Sequence, residues 1–411
     1  MKMKMAISGR VKTVWAMRWI FVICLIGAGP FGMANAAEKQ VISALVLRVD
    51  APKPKPISRL DLAPDDLGFA GGALATEDNQ TTGRFMGQEF ATAYNAVPPE
   101  EAVAEMNAAI DEGAQYIVVL ADAPMVLTLA DAAKGRALVL NALAPDDGLR
   151  NGDCRANLLH IAPSRAMLTD ALAQFLMWKK WRNWFLVEGS HPEDKALADA
   201  YRRAAHKFGA KIVEERVFED TGGARRTDSG HVQVQKQIPV FTQRAPNYDV
   251  MIAADEADIF AVYLPFQTWE ARPVAGSAGL RPATWHPAQE AWGATQFQRR
   301  FEKLNGRYMR PEDYQVWLAL RVISEAATRT KSDQYDVLEK YLLGSDFEIA
   351  AFKGEKLTFR AWNGQLRQPI LLVGDRVLVS VSPQEGYLHQ VSQLDTLGID
   401  QPESGCDLDG R

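Results

Sequence analysis

The sequence holds only three cysteines, no surplus of positive charge and, past its first 36 residues, no long apolar run. So few cysteines in 411 residues exclude a small scaffold stapled by disulfides. The missing apolar run excludes a mature membrane-spanning helix, which needs roughly 20 apolar residues. All five basic residues of the first 36 stand without an acid, so 41 Lys and Arg face 51 Asp and Glu in the rest. A chain with that balance lacks the positive field of a sequence-independent nucleic-acid or anionic-membrane binder. Histidines number six and none stands at metal-ligand spacing with another His, Cys or acid, which argues against a zinc site. There is no G-x-x-x-x-G-K-[ST] phosphate loop. Composition is otherwise that of an ordinary globular protein, 47% hydrophobic and 24% charged, long enough for two or three cores.

The first 36 residues read as a secretory signal: Lys2, Lys4, Arg10, Lys12 and Arg18, an apolar run over 19–26, then small residues ending at Ala36. Cleavage is expected after Ala36, which places the mature protein outside the inner membrane. The leader also contains a literal G-x-G-x-x-G at 27–32, without the strand and helix that would give it meaning. In an oxidising compartment the two remaining cysteines, Cys154 and Cys406, are candidates for a disulfide tying the C-terminal tail to the middle of the chain.

From residue 41 to about 253, short aliphatic runs alternate with helical patterns. Strands are expected at 41–47, 116–120, 137–140, 184–187, 211–217 and 249–252, and helices at 100–111, 124–133, 164–181 and 192–208. This is the β-α-β alternation of parallel sheets covered on both faces. In the last of these helices Ala196, Ala200, Ala204 and Phe208 recur at i, i+4 and are expected to form the buried face. Residues 220–243 are polar and read as a surface excursion. Helices resume at 295–307 and 311–331, followed by strands at 356–361, 368–373 and 376–381. The last two are separated by the turn dipeptide Gly374-Asp375.

Motifs that imitate chemistry fail on context. Residues 275–279 (AGSAG) suggest a nucleophile elbow at Ser277, but an elbow needs a helix directly after the serine and Arg281-Pro282 interrupts one. Asp61, Asp65 and Asp66 lack the regular spacing of a calcium loop. The aromatic and basic run 178–184 reads as a helix end before a buried strand rather than a nucleic-acid patch. No cofactor, metal or catalytic group is expected. A two-lobed α/β chain of this kind suggests a protein that binds a small molecule.

Three stretches carry a resemblance. Residues 67–79 and 81–85 occupy the place of the first helix in type I periplasmic binding proteins of the leucine/isoleucine/valine kind, and 154–164 is similar to the strand that passes from one lobe to the other. Residues 279–286, with Glu290, Trp292-Gly293-Ala294, Gln296 and later 313–317, resemble the substrate-binding component of an ABC system associated with PQQ-dependent alcohol oxidation. The resemblance implies two lobes, each a mostly parallel sheet flanked by helices, and a monomer that presents a small ligand to an inner-membrane permease. It implies an N-terminal lobe mainly of residues 37–160, a C-terminal lobe mainly of 161–275, and a return segment 276–411 completing both. Amino-acid binders of this kind use hydroxyl-rich loops, whereas 121–124 reads Ala-Asp-Ala-Pro, so an ordinary branched-chain amino acid is not the expected ligand. Binding loops belong at strand carboxyl ends. The candidates there are Ser58, Asp61, Asp122, Asn141, Ser164, Glu256 and Trp285.

Overall fold

The run Ala44 to Leu47 alternates neither in polarity nor in burial, and it forms the middle of strand β1 (Gln40–Val49), whose centre is covered on both faces. A computed structural model describes residues 39–52, 56–222 and 233–408; the leader and the cleavage point expected at Ala36 lie outside these residues. After β1 come α1 (Phe69–Met86), β2 (Gln88–Val97), α2 (Ala102–Asp111), β3 (Tyr116–Leu120), α3 (Ala123–Ala133), β4 (Leu138–Asn141) and β5 (Leu158–His160). The five strands pair in parallel in the order β2-β1-β3-β4-β5.

A second lobe follows with α4 (Arg165–Trp178), β6 (Asn183–Gly189), α5 (Pro192–Phe208), β7 (Lys211–Phe218), α6 (Val234–Thr242), β8 (Val250–Ala254), α7 (Leu264–Gln267) and β9 (Val274–Gly276). Its parallel sheet runs β7-β6-β8-β9. The expected strands and helices are present here within a few residues. Two readings need correction. Part of the supposed polar excursion, 234–242, is helix α6, with Ile238 and Thr242 buried. In α5 the expected Ala200 and Ala204 are buried and Phe208 packs against the core, but Ala196 is exposed, and Asp194, Ala198, Tyr201 and Ala205 are buried as well, the large Tyr201 ring turning its face inward.

The chain then adds β10 (Arg281–Ala283), α8 (Ala294–Asn305), α9 (Pro311–Thr330), α10 (Tyr335–Leu342), β11 (Ile349–Ala350), β12 (Lys356–Phe359), β13 (Leu366–Arg367), β14 (Ile370–Gly374) and β15 (Val377–Ser382). Phe297, Phe301, Leu318 and Leu338 of these helices join Val46 and Leu120 in the first lobe's core, whereas Ile370 and Leu372 of β14 join Leu172 and Ile252 in the second. Helix α1 reaches α9 at Gly71, where any Cβ would stand 1.9 Å from the Asp313 carbonyl oxygen. The glycine pair in the 67–79 stretch is therefore a packing requirement.

Polar side chains fasten the chain where it passes between lobes. Buried Arg150 donates to the carbonyls of Ala144 (2.9 Å) and Ala162 (2.7 Å) and to Gln365 Oε1 (2.8 Å). Gln368 Nε2 donates to the Ile161 carbonyl at 2.7 Å, and Lys353 Nζ to Gln368 Oε1 at 2.7 Å. Residues 160–162 and 365–368 are thus tied together. The tail is anchored by Asp395, fully buried against Arg360 and Arg367, and by Thr396, which accepts from Gln174 at 2.9 Å. It ends in the Cys154–Cys406 disulfide, Cα atoms 6.0 Å apart.

Candidate functional site

Parallel strands carry their following loops at one end, and a cleft of about 770 Å³ opens where the loops of both sheets face each other. Leu62 and Pro64 follow β1, and Leu143 and Pro145 follow β4. From the second lobe come Arg165 and Leu168 of α4, Leu197 and Tyr201 of α5, Glu256 after β8, and Gly276 and Ser277 at the end of β9. Residues 281–287, between the lobes, and 307–312, between α8 and α9, complete the walls.

Most of this surface is apolar, and its charged groups are largely engaged with one another. Arg165 donates to both carboxylate oxygens of Glu256 at 2.7 Å and reaches Asp146 at 2.8 Å. Burial works against its charge, yet Glu256 and Asp146 together hold its pKa above the ordinary value. Arg307 is fixed by Asp313 (2.6 and 2.9 Å) and Asp66 (2.9 Å). His286 is drawn below its ordinary pKa by burial and then by the charge of Arg281, which leaves it neutral near pH 7. Burial, with the nearby Glu256 charge, raises the Tyr201 hydroxyl, which stays protonated.

The indole of Trp285 stacks on Tyr314 at 5.0 Å and donates to Gln298 Oε1 at 3.1 Å. Nearby, Gln315 is buried and donates through Nε2 to Thr284 Oγ1 at 3.0 Å, while its Oε1 has no hydrogen-bond partner. The buried Arg281 Nε also has none. Unsatisfied buried polar atoms are rare and costly, and these two belong to cleft residues.

Of the seven sequence candidates, Glu256 and Trp285 line the cleft and five do not. Ser58, half-buried, accepts from Leu60 N–H at the start of a short turn, and Asp61 is exposed within that turn. Asp122 is exposed and caps α3 through Met125 N–H at 3.0 Å. Asn141 is wholly buried, accepting from the amides of Leu143 and Ala144 and donating to the Ala144 carbonyl. Ser164 is buried and caps α4 through Met167 N–H. Ser58, Asp122, Asn141 and Ser164 stand at loop starts, as expected, but their polar atoms bond the local backbone. Ser277 accepts from Asp255 N–H at 3.0 Å in the turn that follows β9, and no helix begins there. Sequence reasoning missed Arg165, Arg281 and Gln315. A capping serine before α4 was the one local hint toward the first, and the other two lie in the stretches 279–286 and 313–317 that carry the resemblance.

Among the described residues no group of three or more His, Cys, Asp or Glu could hold a metal ion, and no helix is long and apolar enough to cross a membrane. Residues 74–228 match the family described as periplasmic binding protein. No curated protein matches the chain. Among solved structures it is similar to the leucine-, isoleucine-, valine-, threonine- and alanine-binding protein of Brucella ovis in its closed conformation. That likeness has 15% identity and a TM-score of 0.64 over 80% of this chain and 88% of that one. An ABC transporter substrate-binding protein of Desulfitobacterium hafniense in complex with Leu is 15% identical, with a TM-score of 0.65 over 84% and 100%. A branched-chain amino acid ABC transporter periplasmic ligand-binding protein of Burkholderia xenovorans is 14% identical, with a TM-score of 0.65 over 83% and 94%. The shared architecture is the two-lobed α/β fold of periplasmic binding proteins.

Proposed function

We propose that this chain, with the two-lobed fold of the type I periplasmic binding proteins and a family match over residues 74–228, is the periplasmic solute-binding component of an ABC uptake system. The supporting observation is the cleft itself: both sheets contribute loops to one largely apolar space, and Gln315 brings a partnerless polar atom to its wall. A solute touching both lobes binds the closed arrangement better. A preference of about 5.5 kcal/mol moves the closed fraction from about 1% to about 99%. An inner-membrane permease then reads the closed face, and no bond is made or broken. The proposal includes a leader removed after Ala36, lobes divided near residue 161, and a return segment from 276 that completes both.

The resemblance of 279–286, with Glu290, Trp292-Gly293-Ala294 and Gln296, and of 313–317 supports a narrower reading, in which the solute belongs to PQQ-dependent alcohol catabolism. A second reading keeps the fold without transport, as an accessory or sensor protein of that quinoprotein system. It is favoured by the loop 121–124, which offers no hydroxyl and whose Asp122 is committed to capping α3. Deleting the gene and measuring uptake of labelled solutes during growth on alcohols separates them. Loss of uptake of one compound supports the carrier, and unchanged uptake with impaired induction of alcohol oxidation supports the sensor.

A further inference from the structure

The geometry points to a ligand class for the cleft, and this inference rests on the solute-binding reading: we propose that it takes a small carboxylate with an apolar body and no ammonium group. Three observations carry it.

The first is what the acids in the cleft are doing. The ammonium of an α-amino acid needs an anionic acceptor in so apolar a cleft, and the partnerless Gln315 Oε1 is a neutral one. Both oxygens of Glu256 are occupied by Arg165 at 2.7 Å, and Glu312 is engaged as well. Each Glu256 oxygen keeps a further lone pair, but an ammonium there would share a carboxylate whose charge Arg165 already balances.

The second is the state of Arg281. Arg165 and Arg307 are each saturated by two carboxylates. Arg281 has only the largely exposed Asp375 at 3.5 Å, and its buried Nε donates to nothing. The Arg281 side chain is 43% exposed, so the least neutralised of these three guanidinium groups is open to a ligand, and a carboxylate is the group that fits its fork. Thr284, three residues on and also lining the cleft, already accepts from Gln315, which leaves its hydroxyl hydrogen to donate. Both residues line the cleft from one short segment.

The third is the rest of the wall. Leu62, Leu143, Leu168 and Leu197, none of them fully buried, come from both lobes. They can desolvate a branched aliphatic or aromatic body at about 25 cal/mol per Å² buried. A small polar metabolite or an inorganic anion would waste that surface.

The test uses the mature protein, its melting midpoint and calorimetric titration. The probes are 4-methylpentanoate and 3-phenylpropanoate, the amides of both acids, and L-leucine, which adds an ammonium to the first body. The expected result is a raised midpoint with at least one acid and none with its amide at equal concentration, because ligands specific to the native state stabilise it. Arg281→Gln should weaken that acid roughly tenfold or more, with Arg281→Lys intermediate. The acid-against-amide comparison needs no variant, so a misfolded Arg281→Gln protein leaves the test intact. Equal binding of acid and amide, or tighter binding of L-leucine than of 4-methylpentanoate, overturns the ligand class while leaving a solute-binding protein. Silence from both acids also overturns the class. The uptake experiment on the deletion strain decides separately whether the carrier reading stands.

Discussion

Arg165, the first residue of α4, clasps Glu256 from the loop after β8 through two parallel hydrogen bonds of 2.7 Å. Its remaining terminal nitrogen reaches Asp146, 2.8 Å away in the loop after β4 of the other lobe. One side chain therefore neutralises an acid from each wall of the cleft. Arg165→Met should destabilise the fold by about 2–3 kcal/mol, because Glu256 and Asp146 lose charged hydrogen bonds. Urea unfolding followed by circular dichroism measures it. A change below 0.5 kcal/mol, taken roughly as the surface-mutation range, would mean that the clasp is ornamental.

Asp395 is fully buried between Arg360 and Arg367, with Nε to carboxylate distances of 2.8 Å. Asp395→Ala strands two guanidinium groups and is expected to cost about 3–5 kcal/mol. A triple variant, Arg360→Met, Arg367→Met and Asp395→Leu, should cost clearly less, since no charge is then left uncompensated. Equilibrium unfolding of the two proteins compares them, and equal losses would refute the argument.

The Cys154–Cys406 bridge closes a sequence separation of 252 residues and pins the tail beside the β4–β5 loop. Removing it as Cys154→Ser with Cys406→Ser should lower stability by about 3–5 kcal/mol through the entropy of the unfolded chain. Wild type in reducing agent should approach the double variant, and the double variant should not respond to reductant at all. Melting curves with and without dithiothreitol decide this.

Asp255 supplies the pH dependence. Burial is the main influence and pushes its carboxyl up to about 6, against the opposing amides of Ala261, Ile259 and Phe260 that it accepts from. The native state then holds this proton more tightly than the unfolded chain. The stability it adds is complete below the ordinary value of 3.8 and disappears as pH rises through about 6. Between pH 4 and 6, taken roughly from that linkage, wild-type stability should fall relative to Asp255→Asn. A flat difference across that window would contradict the assignment.

Much of the fold could be read in advance because apolar runs such as those of β3 and β8 leave no other assignment. What was missed has physical causes. Strand β2 is an edge strand whose polar residues alternate with Phe90 and Tyr94, so it lacks an apolar run. Helix α6 carries Pro239 inside it. In α5 alanines fit either face, and only packing on Tyr201 settles which. The site was less legible. Ser58, Asp122, Asn141 and Ser164 stand at loop starts, where polar side chains serve caps as readily as ligands. Arg281 and Gln315 become neighbours of one cleft only because the chain passes between lobes and returns through α9.

Closure of the cleft is the central claim, and an interlobe distance tests it most directly. Spin labels at Leu60 and Ala196, exposed residues beside the cleft-lining Leu62 and Leu197 of opposite lobes, report that distance by pulsed electron resonance. Adding whichever probe raises the melting midpoint should shift the distribution to one shorter population. An unchanged distribution at saturating probe would contradict a hinged carrier.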